Sequence, residues 1–218
     1  GWQLRHQWNW SETASLVWGV DHEQTEVNGK SWDLYATGGR SAPFSADNRR
    51  RATGVYVENS WYLNDDETVI QLGVRHDTFR IRTLPTPYKT DFTPNSSSFD
   101  TTNPSIGFKQ LLGGGLRFHA TAGRAFVAPS ALQFTGEARA LNWEGRAEIT
   151  RGNPNLRPET STTVDAGLEW AGSHGYVDVT VFDTRVKDKI VRDNGQLIDG
   201  NTTLFTYINS DRARMRGL

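Results

Sequence analysis

Three arginines near the end of the sequence are spaced so that they could bind an anion. Arg212, Arg214 and Arg216 are separated by single residues, and residues two apart in an extended strand share one face. We expect the three guanidinium groups to line the same interior as Asp165 and Glu169 on a nearby strand. Two interpretations remain open: ion pairing with those carboxylates across strands, or a positive strip that attracts an anionic ligand.

The other polar residues do not form a catalytic or metal-binding constellation. Asp183 and Asp188 lie five apart, which places them on opposite faces of a strand. His119 is expected to face the interior, His76 to face outward and His174 to lie in a tight turn. The sequence has no cysteine, no nucleophile elbow, no phosphate-binding glycine loop and no His-Glu-x-x-His helix. We therefore expect no enzymatic activity, no metal site and no cofactor, and the net charge of -1 suggests no nucleic-acid partner.

The elements that would position these residues are strands with two unlike faces. Val164, Ala166, Leu168 and Trp170 are apolar, whereas residues 163, 165, 167 and 169 are polar or glycine. A period of two predicts an extended strand. The same alternation recurs in residues 15–21, 54–63, 68–77 and 116–123. Charges, hydroxyls and glycines on the second face are typical of a wet barrel lumen, with the apolar face turned to lipid.

Connection lengths predict how these strands are joined. Tight turns are expected near residues 9–13, 64–66, 113–115 and 172–175. Long polar loops are expected over residues 23–48, 80–100, 125–160 and 192–203. Alternation of short and long connections gathers the long loops at one end. The sequence thus predicts an all-β fold: an antiparallel up-and-down transmembrane β-barrel, present in part as about nine strands of a larger barrel.

Aromatic residues near the tight turns support a membrane setting. Tryptophan and tyrosine concentrate at membrane interfaces. We expect an interfacial position for Trp10, Trp61, Tyr62, Trp170 and Tyr176. The alternative is that aromatic residues simply favour strands. The run Arg49 to Arg51 has two interpretations as well, a solvated strand edge or a contact with anionic lipid headgroups.

Two segments resemble the paired boxes of TonB-dependent outer-membrane receptors. They are TAGRAFVAPS at residues 121–130 and GNPNLRPETS at residues 152–161. Residues 54–61, 72–77, 179–190 and 207–217 resemble other parts of the same family's barrel. The box residues expected to have a structural role are Phe126, Pro129, Asn153, Pro154, Asn155, Leu156, Pro158 and Glu159. The prolines cannot donate ladder hydrogen bonds, so they suit points where the chain leaves or re-enters the sheet.

The resemblance implies a barrel of about 22 strands, plugged by an amino-terminal domain. It further implies an outer-membrane receptor that imports a scarce nutrient with energy delivered through TonB. Residues 1–218 are expected to be part of that barrel domain, with the plug domain and the final strand outside them. The implied partners are outer-membrane lipid, the receptor's own plug, TonB, and an iron chelate or similar ligand.

The resemblance also bears on the ligand. The haem branch of the family carries an arginine in the first box and a histidine between the boxes. Here Val127 takes the place of that arginine, and no histidine lies between Phe126 and Pro154. A ferric siderophore is therefore the expected ligand, with residues 125–160 and 80–100 as its expected contacts.

Two other classes of protein fit parts of the pattern. A secreted carbohydrate-binding β-sandwich would bury the apolar face as its core. An outer-membrane barrel enzyme would need a catalytic set at its loop end. The position of the apolar face separates the first alternative from a barrel.

Overall fold

The computed structural model describes residues 1–33, 38–90, 93–210 and 212–218. Nearly all of the regular structure in these residues is extended strand. In chain order the elements are β1 Trp2–Ser11, β2 Ala14–Val27, β3 Ser31–Trp32, β4 Arg40–Ser41, β5 Asn48–Leu63, β6 Thr68–Thr83, β7 Ser96–Gly113, β8 Leu116–Val127, α1 Ala131–Thr135, β9 Glu137–Leu141, β10 Ala147–Arg151, β11 Glu159–Gly172, β12 Gly175–Lys187, β13 Ile190–Arg192, β14 Gln196–Asp199, β15 Thr202–Asn209 and β16 Ala213–Gly217.

A 9-stranded sheet forms the body of the fold. Its strand order is β1-β2-β5-β6-β7-β8-β11-β12-β16, and each strand is antiparallel to its neighbours. Spatial order therefore follows chain order, which is an up-and-down meander. β1 and β16 are the two ends, and the sheet is not closed into a full barrel. The predicted fold class and strand number are confirmed.

The two faces of the sheet differ in exposure as well as in chemistry. The register places Val57 opposite Trp18 and Val74. On this apolar face Val57 is 38% exposed and Val74 40% exposed, whereas Asp77 on the polar face is only 4% exposed. Within the described ranges no second layer packs on the apolar face. The β-sandwich alternative is therefore wrong, because its apolar face would be buried as a core.

Tight turns and long connections lie at opposite ends of the sheet, as predicted. The turns occupy residues 12–13, 64–67, 114–115 and 173–174. The long connections occupy residues 28–47, 84–95, 128–158 and 188–212. The first two are shorter than the predicted loops, since the strand ladders continue as far as Val27–Asn48 and Arg82–Ser96. These extensions carry polar side chains without a clear alternation, so the sequence pattern did not predict them.

The long connections contain a small sheet of their own, which the alternation did not predict. We call β9, β10, β13, β14 and β15 the loop sheet. β10 pairs antiparallel with β9 and parallel with β15, and both β13 and β14 pair with β15. Strands contributed by connections far apart in sequence are thus joined at one end of the barrel sheet.

A short helix fastens these connections to the polar face. Ser130 caps α1: its hydroxyl accepts a hydrogen bond from the Gln133 N–H, and the Gln133 side chain accepts one from the Ser130 N–H. This capping box satisfies amides that the first turn leaves unpaired. Phe134 is buried and stacks on Phe99 with ring centroids 5.8 Å apart. In the described residues, no helix has the length and apolar character needed to cross a membrane.

The assignment of the faces predicts unlike effects for two substitutions on β6. Val74→Arg would place a charge on the face expected to meet hydrocarbon, and should lower the free energy of unfolding in lipid vesicles by about 2–4 kcal/mol. Gln71→Arg, on the polar face of the same strand, is the matched control and should change it by no more than about 0.5 kcal/mol. Equal losses, measured by denaturant titration of the complete protein, would contradict this orientation.

Candidate functional site

The first box begins where the pairing between β7 and β8 ends. The β7–β8 ladder begins at Ser105, directly after Pro104, which has no N–H to donate. Beyond that point β8 pairs only with β11. Phe126 packs edge-on against Phe79 with centroids 5.0 Å apart, and Pro129 is almost fully buried. The box therefore anchors the connection that follows β8.

The second box ties the loop sheet to α1 and β11. The Asn153 N–H donates to the Gln133 carbonyl at 2.8 Å, and its side-chain amide donates to the Tyr207 carbonyl at 2.9 Å. Leu156 is buried at 5% exposure. The Glu159 carboxylate accepts from the Ile190 N–H at 2.8 Å. These contacts bind the connection to its surroundings.

The remaining box residues shape the turn between these anchors. The Asn155 N–H donates to the Asn153 side-chain oxygen at 2.9 Å. Pro154 and Pro158 flank the turn without donating to any strand. The expected structural role of the boxes remains a prediction, and these contacts are the interactions through which such a role would operate.

A cavity of about 490 Å³ opens at the loop end of the sheet. Two connections distant in sequence form its walls, the one between β6 and β7 and the one between β8 and β11. Its lining residues are Thr90, Thr93, Asn95, Phe134, Thr135, Gly136, Glu137, Arg151, Gly152 and Pro154. The structure thus brings together the loops expected to bind ligand, although their contact with a ligand stays a prediction.

The charges of the cavity are organised around Glu137. This carboxylate is buried at 6% exposure and accepts from Arg139 at 3.0 Å and from Arg151 at 2.8 Å. Arg151 is bound through its Nε, its terminal nitrogens have no hydrogen-bond partner within the described residues, and it shares the cavity wall with three threonines. Guanidinium and hydroxyl donors suit an anionic, oxygen-rich ligand. In the loop sheet, hydrogen bonds from the Asn201 N–H and the Thr202 hydroxyl lower the pKa of the exposed Asp199 carboxyl.

The polar face below the cavity contains a compact ion-pair network. Arg75 donates two hydrogen bonds to Asp21, at 2.8 and 2.9 Å. It also donates from Nε to Asp77 at 2.9 Å, and its guanidinium lies 5.6 Å from the centre of the Tyr56 ring. Gly54 makes room for this arrangement, since a Cβ there would lie 2.0 Å from the Arg75 Nη2. Polar groups therefore continue from the loop end into the interior.

The interior carboxylates Asp165 and Glu169 are satisfied by β8. Arg117 donates to Glu169 at 2.9 Å, and the Thr121 hydroxyl donates to Asp165 at 2.5 Å. His119 also faces the interior, as expected, 3.4 Å from Asp178. The pairs from Arg117 and Thr121 join residues directly opposite each other on neighbouring strands, which is the usual way that a sheet accommodates charge.

Arg214 and Arg216 do not lie beside these carboxylates. Arg216 is opposite Asp183 in the register, and Asp183 is opposite Val164, so the arginines share the apolar face. Both arginines contact Asp183, with Arg216 Nε at 3.1 Å. The expected interior position of these two arginines is wrong. Side-chain alternation along a strand shows which of its residues share a face, but it does not determine the register of that strand against its neighbour. A ligand inside the barrel would not contact these two side chains.

The third arginine of that set lies outside the strand. Arg212 precedes β16 and is exposed. Asp211, which precedes it, lies outside the described residues. The shared strand face expected for the three arginines therefore applies to Arg214 and Arg216.

The five expected interfacial aromatics divide between the faces. Trp61 and Trp170 are on the apolar face near the tight turns, and Trp10 donates to Asn59 of the same face at 2.9 Å. Tyr62 and Tyr176 are on the polar face, because their register partners are Val69 and Ala171. The register thus turns the two tyrosines toward the interior, and the interfacial position of all five aromatics stays a prediction.

The other two histidines occupy their expected places. His76 faces outward, with Nδ1 2.9 Å from the Thr102 hydroxyl. His174 is in a tight turn, 2.8 Å from the Ser173 hydroxyl. In the part of the chain that the structure describes, no group of three histidine or acidic residues is arranged to hold a metal ion.

Comparison with known families accounts for this architecture. The profile described as "TonB dependent receptor-like, beta-barrel" matches residues 1–218. The chain belongs to the TonB-dependent receptor family. Members of this family are outer-membrane β-barrel receptors and transporters, which places the chain in the outer membrane. The barrel-enzyme alternative is therefore wrong.

The TonB-dependent receptor chain is similar to known proteins whose names point to different ligands. The heme/hemopexin utilization protein C of Haemophilus influenzae is 27% identical over 94% of this chain and 30% of that protein. The probable TonB-dependent siderophore receptor PirA of Acinetobacter baumannii is 26% identical over 78% of this chain and 21% of that protein. The chain thus spans less than a third of the length of these relatives.

Solved TonB-dependent receptors have the same fold. A double mutant of the Serratia marcescens hemophore receptor HasR, in complex with its hemophore HasA and heme, matches with a TM-score of 0.69 and 16% identity, over 99% of this chain and 37% of HasR. A Pseudomonas aeruginosa ferric enterobactin receptor mutant in complex with enterobactin matches with a TM-score of 0.69 and 17% identity, over 99% of this chain and 31% of that receptor. The copper transporter OprC matches with a TM-score of 0.70 and 18% identity, over 99% of this chain and 33% of OprC.

The interior network predicts that two glycines of the receptor differ in their tolerance of a methyl group. Alanine normally stabilises a strand by roughly 0.5–1 kcal/mol relative to glycine. Gly54→Ala should instead destabilise by about 1–3 kcal/mol, because its Cβ displaces Arg75 from its carboxylates. Gly107→Ala, where the nearest atom is the flexible Gln71 Oε1 at 3.3 Å, is the matched control. Denaturant midpoints of the complete receptor give the comparison, and equal midpoints would contradict the packing argument.

Proposed function

We propose that this chain is part of the barrel of an outer-membrane receptor that binds an iron complex at its loop-end cavity and imports it. The plug domain and the remaining strands, in this proposal, lie outside residues 1–218. The observation that carries the proposal is a polar, arginine-bearing cavity of about 490 Å³ at the loop end of a transmembrane sheet. Membership of the TonB-dependent receptor family supports the import function. The polar face below the cavity is consistent with a water-filled interior.

The chemistry of the cavity supports a ferric siderophore as the ligand. Arg151, the threonine hydroxyls and the Asn95 amide offer hydrogen-bond donors, which match the oxygen-rich surface of an iron chelate. Residues 127–153 contain no histidine. Recognition would then depend on hydrogen bonds to the chelator, with iron already held by the chelator. The similarity to PirA, a probable siderophore receptor, supports this choice.

Haem is the second candidate ligand. A heme/hemopexin utilization protein matches 94% of this chain, a larger share than PirA does. A haem receptor of this kind would need axial ligands supplied from parts of the protein outside the two boxes. The two candidates differ in whether the receptor itself coordinates iron.

A growth experiment separates these candidates. The complete receptor would be expressed in an iron-starved bacterium without other iron receptors, which is then supplied with ferric enterobactin or with haemin. The proposal expects growth on the ferric siderophore alone, and loss of that growth when TonB is deleted. Growth on haemin alone would show that the ligand is haem and not a ferric siderophore. Growth that continues without TonB would contradict the proposal that TonB energises import.

The position of the binding site predicts a difference between the two ends of the barrel. Thr93→Trp would fill part of the loop-end cavity, and should weaken binding of ferric enterobactin to the purified complete receptor by about tenfold, which is ~1.4 kcal/mol. Ser173→Trp, in a tight turn at the opposite end, is the matched control and should leave the dissociation constant unchanged. Unchanged affinity in Thr93→Trp would exclude this cavity as the binding site.

A further inference from the structure

Four arginines form a cluster on the apolar face at the loop end of β5 and β6. Arg49 is directly opposite Arg82, and Arg51 is directly opposite Arg80. Together they line a small cavity of about 80 Å³. The sequence showed only the run that begins at Arg49. Backbone register adds two arginines from the next strand, so we call these four residues the arginine cluster.

The positive charge of the arginine cluster is only partly neutralised. Arg49 pairs with Glu26 at 2.7 Å, and the Arg51 Nε donates to the neutral Gln24 side chain at 2.7 Å. In the ranges that the structure describes, Arg51, Arg80 and Arg82 have no carboxylate partner. Like charges directly opposite one another destabilise a sheet. An anion between them would remove that repulsion.

The height of the cluster identifies where such an anion would come from. Arg51 and Trp61 are on the same face of β5, ten residues apart. At about 3.4 Å per residue and a strand tilt of about 40°, this separation is roughly 26 Å along the membrane normal. The apolar band of an outer-membrane barrel is about 25 Å tall. With Trp61 at the inner interface, the cluster lies at the headgroup level of the outer leaflet.

A second group of arginines lies on the same face farther along the sheet. Arg124, Thr162, Arg185 and Arg214 follow one another across β8, β11, β12 and β16 in register. Asp183 contacts both Arg185 and Arg214, so positive charge is again in excess. Thr162 is eight residues above Trp170 on β11, a height close to that of the arginine cluster.

We propose that the arginine cluster binds the phosphate groups of an anionic lipid in the outer leaflet. Guanidinium groups recognise phosphate through paired, charge-assisted hydrogen bonds. A phosphate held between Arg51 and Arg80 would neutralise the repulsion across the strands. Since the side chains point out of the barrel, the imported ligand would not reach them, and this proposal is independent of the ligand proposed above.

The experiment measures retention of a phosphorylated lipid by the complete receptor. Receptor in detergent is mixed with diphosphoryl lipid A, exchanged into fresh detergent, and examined by native mass spectrometry. We expect the wild type to retain the lipid. The double variant Arg80→Gln/Arg82→Gln should retain about tenfold less, and the wild type should retain fully dephosphorylated lipid A about tenfold less as well. Retention that is equal in any of these comparisons would overturn the proposal.

Two further variants separate charge from folding. Arg5→Gln/Arg146→Gln removes the same charge from the polar face of β1 and from the turn between β9 and β10, and should retain the lipid fully. Arg80→Lys/Arg82→Lys keeps the charge and should recover at least half of the retention. A loss in either variant as large as that in the glutamine variant would overturn recognition by the cluster.

A competition arm identifies the source of the phosphate. Inorganic phosphate in millimolar excess should not displace diphosphoryl lipid A from the wild type, since the acyl chains lie along the apolar face. Displacement would assign the site to free phosphate and overturn the lipid proposal. Iron import by the glutamine variant should equal that of the wild type, so failure here is distinct from failure of the import proposal.

Discussion

Backbone pairing in the antiparallel ladder is the constraint on which the rest of this structure depends. Hydrocarbon offers no partner for an amide or a carbonyl, so every such group in a spanning segment must pair with a neighbouring strand. A paired strand places successive side chains on opposite faces. The apolar face toward lipid and the polar face toward the interior therefore arise from one geometric cause, and charge on either face must be accommodated across strands.

The two faces solve the problem of charge in different ways. On the polar face, Arg75 lies between Asp21 and Asp77, and Glu169 is paired with Arg117. On this wall each of these arginines therefore has a carboxylate partner. On the apolar face the charged side chains lie toward the loop end, where arginines outnumber carboxylates such as Glu26 and Asp183. That asymmetry is expected if one face meets water and the other meets the headgroups of a membrane.

The loop end adds a layer of structure that the sheet alone would lack. The two boxes bind the connections through buried apolar side chains and backbone hydrogen bonds, with Leu156 and Asn153 as examples. Such anchoring limits the freedom of otherwise polar loops and gives the cavity a defined wall. A receptor that must hold a ligand before import gains from such preorganisation, because less conformational entropy is lost on binding.

The sequence by itself determined the division of each strand into two faces, the up-and-down order and the family, since each depends on local alternation, turn residues or contiguous motifs. Only the tertiary structure decided that Arg214 and Arg216 face outward, that Arg80 and Arg82 join Arg49 and Arg51, and that two distant loops enclose one cavity. The physical reason is register. Side-chain alternation shows which residues of one strand share a face. Hydrogen bonding to the neighbouring strand decides which of that strand's residues lie beside them.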